Sequence, residues 1–223
     1  MFQENYFLAI KNFYFTSMFG DPRTYGTLDT FHAGQDLASC LGKNQDIHNI
    51  IAGQVFNYGK DKYAGRNITI QHNLKFIGGP NDRFFSCYKH LYSIEKKVKA
   101  TSQKNSENNF IPPGEIIGKM GNSGYCMTKS KITKKWRLLT QAEKSDPKCK
   151  LGVHVHWEIY QITRDGMTTP LIQELTREGF VQNEPFYYFF RNDHLYINPN
   201  VILNYIVYLR NKNKKNEYAG MIF

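Results

Sequence analysis

Residues 152–162 read GVHVHWEIYQI, and their alternation decides the fold class. Val153, Val155, Trp157 and Ile159 fall on one side of an extended chain, and His154, His156, Glu158 and Tyr160 on the other. That period of two is the signature of a β-strand. The same pattern recurs in RNITIQHN, where Ile68 and Ile70 share a face opposite Thr69 and Gln71. IIAGQVFNYG and EIIGKMG read as further short strands broken at glycine turns. Together these segments predict a mainly β protein built on an antiparallel sheet.

Helix signals are few. TTPLIQELTREGF carries Pro170 at a start position and Gly179 at a stop. PNVILNYIVYLR fits either a second helix or a terminal strand. The segment 100–109 is crowded with Asn, Lys and Ser and reads as a surface loop. Residues 125–150 form a longer insertion with eight Lys or Arg against Glu143 and Asp146, which reads as a mobile, solvated loop ahead of a polyanion-binding patch with Trp136 stacking on sugars or bases. The basic tail RNKNKKNEY is expected to fray. No internal repeat is present.

The 223 residues suit one ordinary domain with extensions, or at most two small ones, long enough to bury a core without staples. Hydrophobic residues at 41% and charged residues at 22% exclude a disordered chain. The net charge of +10 points to an acidic polymer, an anionic membrane or nucleic acid, or to a lysine-rich surface that only keeps the protein soluble. No helix-turn-helix, zinc-finger or RNA-binding pattern supports nucleic acid, which ranks low. No segment reads as a transmembrane span or as an export signal. Of the four cysteines, Cys126 and Cys149 bracket the basic insertion, and a disulfide closing it is one expectation, with unbridged thiols the other.

The chemistry lies in the histidines. FHAGQD sets His32 and Asp36 four residues apart around Gly34, and the strand places His154 and His156 on one face, roughly 6.6 Å apart. A hydrolytic zinc takes three ligands from His, Asp, Glu or Cys and keeps a fourth position open. His32, Asp36 and His156 supply such a set. His154 would then lie where it can take a proton from a metal-activated water and pass it to a leaving amine. His72 follows the Ile68–Ile70 alternation and reads as structural. His48 and His194 have no supporting pattern. Glu158 is either an orienting partner for an imidazole or a solvated carboxylate. The glycines at 114, 118, 121 and 124 lack nucleotide-loop spacing and read as turns.

These residues resemble the lysostaphin-type, or LytM-like, zinc endopeptidases, which cut peptides of the bacterial cell wall. The resemblance runs from about Phe19 to Pro199. Its anchors are FGDP with TFHAGQD, the segment IIAGQVFNYGKDKYAGRNITIQHN, CYKHL followed by PPGEIIGKMGNSG, and GVHVHWEI with the closing YINPNVIL. It implies an antiparallel sheet with a groove-shaped active site, few short helices and long loop insertions. It implies one zinc ion on His32, Asp36 and His156, with His154 and His90 as catalytic histidines. His90 would steady an oxyanion or share proton traffic with His154.

The organisation implied is an N-terminal extension over 1–18, a peptidase domain over 19–210 and a basic tail over 211–223. The expected substrate is a peptide bond of peptidoglycan, in a stem or a cross-link, with anionic wall polymers as further partners. The expected place is the cell envelope, periplasmic or secreted. The alternative is a latent or non-hydrolytic domain that binds the wall or regulates other hydrolases. Tyr25 stands near a family tyrosine and takes no role. The insertions after Asp36, CYKHL and GNSG are longer than usual in the family, so the resemblance leaves the bond that is cut undefined.

Overall fold

A computed structural model describes residues 13–25, 28–50, 52–98, 110–130, 132–133, 135–163, 168–181, 187–191 and 193–219. The fold is mainly antiparallel β, with one large sheet and no closed barrel among the described residues. Its main path runs β1 (Phe13–Ser17), β4 (Gly34–Ser39), β14 (Val155–Ile162), β8 (Arg83–Leu91), β7 (Gly65–Asn73), β6 (Gly53–Asp61) and β10 (Phe110–Ile111). The chain divides into two compact units, one of residues 1–18, 35–70 and 87–157 and one of residues 19–34, 71–86 and 158–223. The surface loop expected over 100–109 lies outside the described residues.

In the first unit, Ile68, Ile70, Tyr88 and Trp157 are almost wholly buried, and Tyr88 stacks on Trp157. The alternation read from the sequence therefore holds for the apolar face of β14. The other face is covered too: His156 is only 8% exposed. Alternation alone does not reveal this, because a central strand is covered on both sides whatever its polar residues do. The pairing of β1 with β4 shifts register between Phe15 and Ser17, so that Ser17 faces Asp36. Such a bulge re-aims a side chain.

A smaller sheet joins β5 (Asp46–His48), β11 (Ile116–Lys119) and β9 (Ser93–Ile94). The basic insertion, expected to be a mobile loop, instead carries a folded hairpin of β12 (Met127–Lys129) and β13 (Trp136–Leu138). A short helix α1 (Gln141–Ser145) follows, opened by a capping box of Thr140 and Glu143. The buried Lys43 ammonium donates to the carbonyls of Lys144 and Asp146, at 3.1 and 2.6 Å. A cation at the carbonyl end of a helix satisfies groups that have no partner within it. The Cys126–Cys149 disulfide is not formed. The Cys126 thiol is buried and donates to the Ser123 carbonyl at 3.4 Å.

In the second unit, β2 (Pro22–Tyr25) and β3 (Leu28–Phe31) form a hairpin, and β15 (Tyr188–Arg191) pairs with β16 (His194–Ile197). Helix α2 (Pro170–Arg177) starts where the sequence predicted, with Thr169 as its cap, and Gly179 follows in the left-handed region. The segment from Pro199 is a helix, α3 (Pro199–Ala219), and takes in most of the tail expected to fray. Asn213 Nδ2 donates to the Ile77 carbonyl at 2.9 Å and ties that tail to the turn at Gly78. His72 is buried, with Nε2 2.7 Å from Ser86 Oγ, in keeping with a structural role.

Candidate active site

The neighbouring strands β4 and β14 bring Asp36 and His156 together, with Nδ1 of the imidazole 2.8 Å from Oδ1 of the carboxylate. His154 sits just before β14, where its backbone N–H donates to the Gly121 carbonyl at 3.0 Å. Its ring Nδ1 lies 2.9 Å from the Gly152 carbonyl. A carbonyl only accepts, so Nδ1 carries the proton and the ring's lone pair sits on Nε2. That Nε2 is 3.8 Å from Asp36 Oδ1. Asp36 and both histidines are each about one-seventh exposed or less.

His90 is held differently. Its φ is 65°, in the left-handed region that a residue with a Cβ rarely adopts. The backbone N–H donates to the Ala64 carbonyl at 2.8 Å, and Nδ1 lies 2.8 Å from the Ser123 carbonyl. By the same argument the His90 lone pair is on Nε2. The ring centroid stands 4.8 Å from that of His154 and 6.1 Å from that of His156. Burial first, and then the neighbouring His154 and His156 imidazoles, hold the His90 pKa well below the ordinary range.

Ser123 is the clamp on this histidine. Its Oγ accepts from the Arg66 N–H at 2.8 Å and donates to the Leu91 carbonyl at 2.7 Å. The turn at Gly124 lies so close to Gly65 that a Cβ on Gly124 would stand 2.3 Å from the Gly65 nitrogen. Two glycines therefore permit the approach that positions His90. The sequence alone reads Gly124 as a simple turn and assigns no part to Gly65 or Ser123. The signal available was the pairing of KYAGR with GNSG, two glycine turns that gain meaning only once they meet in space.

Among the described residues, two groups of side chains offer donor atoms within 4.8 Å of one another: His32, Asp36 and His156, and separately His90, Cys126 and His154. The backbone of His32 is fixed by Gly20 N–H to its carbonyl and by its own N–H to the Asp21 carbonyl, both at 2.9 Å. His32, like His156, is buried. Two imidazole nitrogens and one carboxylate oxygen are the donor chemistry of a catalytic zinc, and hard cations that prefer all-oxygen shells fit it poorly. The residues present thus fit zinc.

Each of the other histidines has partners of its own. His48 Nδ1 bonds the Gly114 carbonyl at 2.9 Å, His72 bonds Ser86, and His194 packs on Tyr160. Glu158 is buried. The Tyr25 side chain lies outside what is described.

No family model and no curated protein matches the chain. Similar solved structures include M23-family peptidases. One is the catalytic domain, in mutant form, of the prophage-encoded M23 protein EnpA from Enterococcus faecalis, at 19% identity and a TM-score of 0.40, covering 70% of this chain and 84% of that one. A zinc-containing peptidase from Vibrio cholerae is 20% identical at a TM-score of 0.39, covering 66% of this chain and 32% of its own. LytU is 20% identical at a TM-score of 0.39, covering 74% and 81%.

Proposed function

We propose that this chain is a zinc-dependent endopeptidase that hydrolyses peptide bonds of bacterial peptidoglycan in the cell envelope. The observation that carries the reading is the convergence of four histidines and one aspartate, drawn from three separate stretches of sequence, on two candidate donor groups. His32, Asp36 and His156 would hold the ion, which when bound supplies Lewis acidity at the reacting carbonyl.

The chain's own residues then divide the proton work. His154 accepts the proton of the attacking water at Nε2 and delivers it to the departing amine. Its Nδ1 keeps its proton and donates to the Gly152 carbonyl, which fixes the ring while Nε2 cycles. His90, neutral and with its lone pair also on Nε2, is suited to accept rather than to donate. That favours shared proton traffic with His154 over the alternative of steadying an oxyanion, which needs a donor at that nitrogen. The net charge of +10 suits a wall rich in carboxylates and anionic polymers.

The test is release of new amino groups from purified peptidoglycan. Release that stops on chelation, returns with zinc and is absent in His156→Ala supports the reading. Equal release in the chelated protein overturns it.

A further inference from the structure

The second donor group is not part of the catalytic zinc set, and one of its members has no place in the proposed reaction. Cys126 is 1% exposed, and its sulfur lies within 4.8 Å of ring nitrogens of both His90 and His154. It donates to the same Ser123 carbonyl that receives His90 Nδ1. The fold thus holds the thiol beside the two imidazoles, and all three groups belong to the first unit.

We propose that His90, Cys126 and His154 form a second metal site, selective for a soft or borderline divalent cation such as zinc, cobalt or cadmium. Cysteine sulfur and imidazole nitrogen are each zinc donors, and a thiolate disfavours magnesium and calcium. Binding is a simple exchange: the metal replaces the proton on Cys126 sulfur, the two neutral imidazoles donate lone pairs, and one proton leaves to solvent. No oxidant or reductant is required. Burial pushes the Cys126 thiol up to about 12, so without a metal it stays protonated and unreactive.

An ion there takes the lone pairs of the two histidines that carry protons in the proposed hydrolysis. Excess zinc would then silence the enzyme through its own catalytic residues. That consequence rests on the peptidase reading; the site itself does not.

The test is titration of the chelator-treated full chain with cobalt, read by absorption rather than by turnover. Cobalt bound to a thiolate gives a near-ultraviolet charge-transfer band that nitrogen and oxygen ligands do not. The wild type should take a second equivalent with that band, and Cys126→Ser and Cys126→Ala should lose both while keeping the first equivalent. His156→Ala should lose the first equivalent and keep the band. Absence of the band in the wild type, or its survival in both Cys126 variants at the position of another cysteine, overturns the proposal. Failure of the peptidase reading would show instead as unchanged peptidoglycan beside an intact cobalt band.

Discussion

Asp36 Oδ1 lies 2.8 Å from Nδ1 of His156 and 3.8 Å from Nε2 of His154, so one carboxylate stands beside both imidazoles of the His-x-His pair. The two rings face it with opposite nitrogens because the Gly152 carbonyl has already taken Nδ1 of His154.

Asp36→Asn and His156→Ala should each strip zinc from the protein. Loss of even an outer partner of a metal ligand costs roughly 10–100-fold in affinity or activity, and loss of a ligand should exceed that. Metal content after dialysis checks it; a variant that retains one zinc per chain with unchanged affinity would contradict the ligand assignment.

His154→Gln should retain zinc and lose turnover. A positioned proton-transfer group contributes about 10²–10⁴-fold, so a loss in that range is expected with substrate binding little changed. Full metal content with near-normal turnover would remove His154 from the chemistry.

At His90 the backbone and the ring can be separated. Asn tolerates the left-handed region and a β-branched residue does not. His90→Asn should fold close to normally yet lose activity, whereas His90→Val should also lose about 1–3 kcal/mol of stability. Equal stability of the two variants in denaturant would mean that the strain at φ 65° is not real.

The lowered pKa of His90 has a signed consequence for the metal-free protein. The folded state refuses a proton that the unfolded chain accepts at the ordinary value of about 6.5. The stability contributed by neutral His90 is therefore complete above about pH 6.5 and is lost as the pH falls from there toward the lowered folded value. Denaturation midpoints in the presence of chelator should drop below that pH, and His90→Asn should flatten part of the fall. A slope that the variant leaves unchanged would assign the effect elsewhere.

Much of this site was legible in the sequence because its residues stand in local patterns. His154 and His156 lie two apart on one strand, and His32 and Asp36 lie four apart around a glycine. Each pair is fixed by backbone periodicity, which a sequence displays directly. His90 needed the family resemblance, since its position depends on the crossing of the Gly65 and Gly124 turns, a contact between residues far apart in the chain. Cys126 reads equally as half of a disulfide or as an unbridged thiol, because spacing alone cannot tell which way a thiol turns. The basic insertion reads as a loop because charge masks the capping box at Thr140 and the Lys43 contacts that hold it folded.

The central claim is hydrolysis of a wall peptide by this histidine and aspartate cluster. Its most direct test is mass spectrometry of defined peptidoglycan fragments incubated in heavy-oxygen water with zinc-loaded wild type and with His156→Ala. The account predicts paired products from the wild type alone, one with a new amine and one whose new carboxyl carries the heavy oxygen. Intact fragments in both reactions, with zinc bound to the wild type, would contradict the account and leave a metal-binding domain without hydrolytic work.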